Sequence, residues 1–153
     1  MRLTAKELLK NSFVITIDDE RYNLFKQTFK ASGLMPLPKR FDGVVDRNNT
    51  GAFNCYLSHR KLVLKAKEMD LPFVCVFEDD AYPRKNIMKE LDILLDNIPH
   101  FCKVLSLGYI YSFPGASVPY LDSFYAPFYG YGGHAYVVFK EAYDDYIATL
   151  DEM

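Results

Sequence analysis

Three consecutive carboxylates, Glu78-Asp79-Asp80, directly follow the apolar run Phe73-Val74-Cys75-Val76-Phe77. Crowded together they repel one another and lose hydration, which is unfavourable unless a cation or hydrogen-bond donors compensate. A hard divalent ion that also holds a phosphate-bearing substrate would compensate well. The plainer alternative is a solvated strand end feeding the turn at Ala81-Tyr82-Pro83. Ser58-His59 lies near the start of the preceding helical stretch, where free backbone N–H groups and the positive dipole end favour a phosphate. Alternatively, His59 bridges local structure. The two do not make a nucleophilic pair, because adjacent residues on a helix point in different directions. Gly130-Tyr131-Gly132-Gly133-His134 permits close backbone approach to a ligand, yet lacks the context of a dinucleotide site or a P-loop. His134 could complete a metal site, since imidazole suits manganese or zinc, or it is a turn residue. Tyr109, Tyr111, Tyr120, Tyr125, Tyr129 and Tyr131 could form a platform for a sugar ring. A half-buried layer or a protein interface is the usual explanation of such a cluster.

The elements that must position these residues follow from periodicity. Five apolar residues without polar alternation read as a strand buried on both faces, placing the carboxylates at its carboxyl end, where open α/β sheets bind ligands. Asn11-Ser12 closes a short N-terminal helix, and Phe13–Ile17 is a β-branched strand ending at Asp18-Asp19. Helical spacing runs from Glu20 to Ala31 with Gly33 as its C-terminal stop, and Pro36 and Pro38 break regularity before a short strand at Phe41–Val45. Thr50 is placed to cap a helix from Ala52 to Met69. A further helix spans about Lys85–Asn97, followed by strands at Lys103–Leu107 and His134–Phe139 and a final helix over Lys140–Glu152. The alternation predicts an α/β domain, a mostly parallel sheet flanked by helices. Between Pro114 and Gly133, glycines and prolines predict a long loop or short antiparallel strands.

The chain of 153 residues has the size of one domain, here taken as 1–153. A net charge of -2 gives no global attraction to nucleic acid or anionic membranes, which argues against DNA or RNA as partner. Cys55, Cys75 and Cys102 are odd in number and widely spaced. They read as buried free thiols of a reducing cytoplasm rather than a disulfide framework or zinc site. The first ten residues are too charged for a signal peptide, and no stretch reaches transmembrane length. Peripheral attachment at the inner face of the membrane stays open. Nine of the twelve tyrosines lie beyond Gly108, so an aromatic-mediated homo-oligomer is a further expectation.

Taken in order, these pieces resemble glycosyltransferase family 25, the enzymes that build lipooligosaccharide and related glycans. The opening strand Ile15-Thr16-Ile17-Asp18 with Arg21 is similar to the family's Ile-Asn-Leu-Asp element, with Thr16 in place of the asparagine. Arg40-Phe41-Asp42-Gly43-Val44 matches a Val-Asp-Gly-type element. Asn54-Cys55-Tyr56-Leu57-Ser58-His59 resembles Gly-Cys-x-x-Ser-His, with Asn54 for the glycine. Phe77-Glu78-Asp79-Asp80 stands for Leu-Glu-Asp-Asp, and Gly133-His134-Ala135-Tyr136 for Gly-x-Ala-Tyr.

The resemblance implies a Rossmann-like, GT-A-type fold that binds a UDP-sugar, UDP-galactose being one candidate, and transfers the sugar to a surface glycan. It implies a divalent ion, manganese above all, with Asp80 as main ligand, Glu78 at the ribose or a metal-bound water, and Asp79 between them. Ser58 and His59 would lie near the diphosphate, and Thr16, Asp18 and Arg21 near the base and ribose. An inverting reaction needs a carboxylate base, for which Asp122 is the candidate. The chain ends soon after the Ala-Tyr strand, where family members usually continue. A non-catalytic relative that holds a nucleotide-sugar or glycan is therefore the alternative, and a metal-dependent phosphohydrolase a more distant one.

Overall fold

The structure, a computed structural model, describes residues 3–108, 117–121, 124–127 and 133–151. Helix α1 (Ala5–Lys10) opens with a capping box in which Thr4 and Glu7 satisfy each other's backbone N–H groups. Strand β1 (Ser12–Thr16) follows, then α2 (Asp19–Ala31), whose N-cap is Asp18. Gly33 lies just past the end of α2 at φ 82°, the left-handed geometry that favours glycine there. Strand β2 (Lys39–Asp42) comes earlier than the expected Phe41–Val45. It is an edge strand, mostly exposed, so no apolar run marks it. Thr50 caps α3 (Gly51–Glu68) by accepting from the Phe53 N–H, as expected. Strand β3 (Phe73–Glu78), helix α4 (Met88–Asp96) and strand β4 (Val104–Gly108) continue the alternation.

Backbone strands β5 (Ser117–Leu121) and β6 (Phe124–Pro127) pair antiparallel, the second of the two alternatives, long loop or short antiparallel strands, that the sequence left open for that stretch. Strand β7 (Ala135–Phe139), a 3-10 turn (Lys140–Ala142) and α5 (Tyr143–Asp151) complete the described chain.

The central sheet has the order β2-β1-β3-β7-β4. Strands β1, β2, β3 and β4 share one direction and β7 runs against them. The expected mostly parallel sheet is thus a mixed one: inserting β7 between β3 and β4 makes two of its four pairings antiparallel.

Alternating strand residues divide the core into two layers. Phe73, Cys75, Phe77, Ala135 and Val137 pack with Leu8, Phe25, Phe29, Leu91 and Leu95, which places α1, α2 and α4 on one face. Val74, Val76, Tyr136 and Val138 pack with Leu62, Val63, Ala66, Tyr143 and Ile147, which places α3 and α5 on the other. All five residues of Phe73–Phe77 are buried, as an apolar run without alternation requires. The cysteines are free, but only Cys75 is buried; Cys55, in the largely exposed first turns of α3 ahead of its buried residues, is exposed, and Cys102 is intermediate. No described helix is long and apolar enough to cross a membrane.

Candidate active site at the carboxyl edge of the sheet

The carboxyl ends of β1 and β3 lie side by side, with Ile15 opposite Glu78 in a parallel register. One residue further along each strand, the Thr16 hydroxyl donates to Asp79 Oδ2 at 2.7 Å. Asp18 turns the chain into α2 by accepting from the Arg21 N–H at 2.8 Å. That turn aims the Arg21 guanidinium back at the cluster, where it pairs with Asp79 and lies 3.8 Å from Asp80. Asp79 is only 7% exposed, and its charge is answered from within the chain.

Strand β7 matters here because it is reversed. Its amino end lies beside the carboxyl end of β3, with Phe77 opposite Ala135 and the Glu78 N–H bonded to the His134 carbonyl at 2.9 Å. His134 therefore meets the acidic residues. Its Nδ1 is 3.1 Å from Glu78 Oε2 and 3.0 Å from Asp80 Oδ1. The ligand atoms of Glu78, Asp80 and His134 all lie within 4.8 Å of one another. Neighbouring ligands around an octahedral ion with bonds of about 2.1 Å stand about 3 Å apart. Two carboxylates and an imidazole at these separations fit a manganese- or magnesium-sized ion, and they could hold one.

The other oxygen of Glu78, Oε1, accepts from His59 Nε2 at 3.1 Å. His59 Nδ1 is 2.6 Å from the Tyr136 hydroxyl, and the two rings stack at 5.6 Å. Burial is the largest influence on His59 and opposes its charge, but hydrogen bonds and negative charge from Cys55 and Glu78 together raise it to about 9. Burial would raise the Glu78 carboxyl, yet its interactions with His59 and His134 leave it below the usual value. An imidazolium–carboxylate pair results, with Glu78 held ionised.

Ser58 and His59 sit two turns inside α3, which begins at Gly51, so the expected placement at the helix N-terminus is not what the fold provides. The Ser58 hydroxyl instead accepts from the Val44 N–H at 2.8 Å and donates to the Asn54 carbonyl at 2.7 Å. A Cβ on Gly43 would stand 2.7 Å from Ile17 Cγ2 and 3.3 Å from Ser58 Oγ. The Asp42-Gly43 and Ser58-His59 elements thus interlock, glycine allowing the approach that serine then fixes.

The structure brings together Thr16, Arg21, Glu78, Asp79, Asp80, His59 and His134, while Asp18 serves as helix cap and Ser58 as backbone anchor. Asp122 lies outside the described residues, as do Tyr109, Tyr111, Tyr129 and Tyr131. Tyr136 entered the sequence reasoning only as part of the Gly-x-Ala-Tyr strand and was given no place in the site. A tyrosine alternating with apolar residues in a strand buried on both faces needs a partner for its hydroxyl, and that was the available signal.

The profile of glycosyltransferase family 25 (LPS biosynthesis protein) matches residues 49–125, half of the chain. The chain belongs to glycosyltransferase family 25. No curated protein matches it. The family 25 match takes in Ser58, His59 and the whole Glu78-Asp79-Asp80 triplet on α3 and β3. Thr16, Asp18 and Arg21 precede it, and His134 follows it. Membership makes this a glycosyltransferase-family domain of lipopolysaccharide biosynthesis, whose acidic triplet stands at the edge where α/β sheets bind their ligands.

Proposed function

We propose that the chain is a metal-dependent glycosyltransferase of GT-A type. It takes a sugar from a UDP-sugar such as UDP-galactose and passes it to a growing surface glycan at the cytoplasmic side of the membrane. The observation that carries this reading is the division of labour within the triplet. Asp79 pairs with Arg21 and accepts a hydrogen bond from Thr16, while Glu78 and Asp80 converge with His134 on one point at the sheet edge. Asp80, 46% exposed, is open to a ligand from outside.

In this reading Glu78, Asp80 and His134 hold a manganese ion, which supplies positive charge for the diphosphate leaving group of the donor. His59 keeps Glu78 ionised and turned toward the edge. Arg21 and Thr16 fix Asp79, so that the triplet reaches its working geometry with less mutual repulsion. Such preorganisation lowers the reorganisation needed as charge develops on the leaving diphosphate.

The test is calorimetric titration with UDP and UDP-galactose, with and without manganese, on the parent protein and Asp80→Ala. Expected is manganese-dependent binding of both nucleotides that Asp80→Ala weakens by at least about tenfold, the loss typical of a metal ligand or its support. Equal binding by parent and variant would remove the metal role. Binding without sugar transfer to any glycan acceptor would turn the reading into that of a nucleotide-sugar-holding relative.

A further inference from the structure

Glu78 belongs to two groups of potential ligands. Cys55 and His59 are four residues apart on α3, so their side chains share one face of the helix. Their sulfur and imidazole nitrogen, with a Glu78 oxygen, lie within 4.8 Å of one another. We propose that Cys55, His59 and Glu78 form a second cation site, selective for a thiophilic divalent ion such as Zn2+.

The donor chemistry is the first argument. One thiolate, one imidazole and one carboxylate, with a position left for water, is a combination zinc accepts. Manganese and magnesium favour oxygen ligands, so the sulfur separates this group from Glu78, Asp80 and His134 in preference. Three widely spaced cysteines argue against a multi-cysteine zinc site, but this one needs a single thiol.

The surroundings are the second argument. Cys55 is exposed, which gives the ion a way in and space for its water ligand. His59 is 9% exposed, and its Nδ1 is fixed by the Tyr136 hydroxyl at 2.6 Å. A zinc-bound imidazole characteristically donates its second N–H to such a partner, which sets the ring's orientation. Tyr136 stacks in turn on Tyr146 at 5.9 Å, so the orienting hydroxyl is itself held. Coordination replaces the His59 Nε2 proton that faces Glu78, as for any imidazole ligand.

Because Glu78 faces His59 through Oε1 and His134 through Oε2, an ion on either side draws on the same carboxylate. Zinc at the first group therefore weakens manganese at the second. This inference goes beyond the proposed transferase and does not depend on it.

The experiment uses the full, metal-free chain under a non-thiol reductant. Zn2+ affinity is measured by competition with a chromophoric chelator, and Co2+ is added separately to look for a sulfur-to-cobalt absorption band in the near ultraviolet. Expected are one tight Zn2+ and the cobalt band. Cys55→Ala should abolish the band and weaken zinc by at least about tenfold, whereas Asp80→Asn and Cys102→Ala change zinc affinity by less than about threefold. Cys55 is exposed, so its replacement leaves the core intact. Zinc binding unaffected by Cys55→Ala, zinc binding lost in Asp80→Asn or Cys102→Ala, or no binding at roughly 100 μM Zn2+ would each overturn the proposal.

Discussion

Burial alone would strip the proton from His59, but Cys55 and Glu78 outweigh it and lift the imidazole from 6.5 to about 9. The folded value lies above the unfolded one. The histidine's contribution to stability is therefore complete below about 6.5 and is lost as pH rises toward 9. Glu78 is shifted the other way, so its contribution holds above its ordinary 4.5 and fades as pH falls below that. The pair is strongest between those limits. In the metal-free protein, the His59 ring resonances should remain those of an imidazolium at neutral pH and titrate near 9. The melting temperature should decline across the same interval, less so in Glu78→Gln. A His59 midpoint at the ordinary value would contradict this account. None of these pairings was legible locally, since His59 and Tyr136 are separated by 77 positions. The identities of Glu78, Asp80 and His134 as candidate ligands were legible, because three carboxylates after an apolar strand and a histidine after a glycine run are unusual in type.

Among the elements, β2 and α3 meet closely at Gly43 and Ser58. Gly43→Ala would press a methyl group against Ile17 and Ser58, and overpacking of this kind costs about 1–3 kcal/mol. Ser58→Ala would leave the Val44 N–H without its acceptor, at about 1–2 kcal/mol. Since both act on one contact, the double variant should lose measurably less than the sum in urea unfolding. Strict additivity would mean the two elements do not interlock. Buried elements were the readable ones: β3 from its unbroken apolar run, α3 from its stripe and Thr50 cap. β2 was misplaced because its Lys39 and Arg40 are exposed and carry charge, and charge on an edge strand hides the very pattern that betrays an interior one.

At the scale of the molecule, the two helical layers depend on different parts of the chain. The layer of α3 and α5 is tied by the Tyr56 hydroxyl to the Leu150 carbonyl, by Arg60 to Asp151 and by Lys67 to Asp144. Beneath those contacts Ala142, Tyr143 and Ile147 are buried. Removing residues 140–153 would take away the buried Tyr143 and Ile147 and uncover Tyr136 and Val138, forfeiting about 8 kcal/mol at about 2 kcal/mol for each of these four side chains. That is of the order of a domain's whole stability, so circular dichroism should find the shortened chain unfolded at room temperature. A cooperative native-like melt would refute the estimate. Strand direction was the least legible property, because periodicity reports which face a residue takes and says nothing of which way its strand runs. The alternation of elements gave the layered α/β class, while the reversal of β7 depends on contacts that no local pattern encodes. Glu78 joins the two sides of this architecture, with one oxygen toward the sheet edge and the other toward an imidazole in the layer behind. Events at the rim can therefore be watched from the rear: the resonance of a buried ring would register whether the rim is occupied.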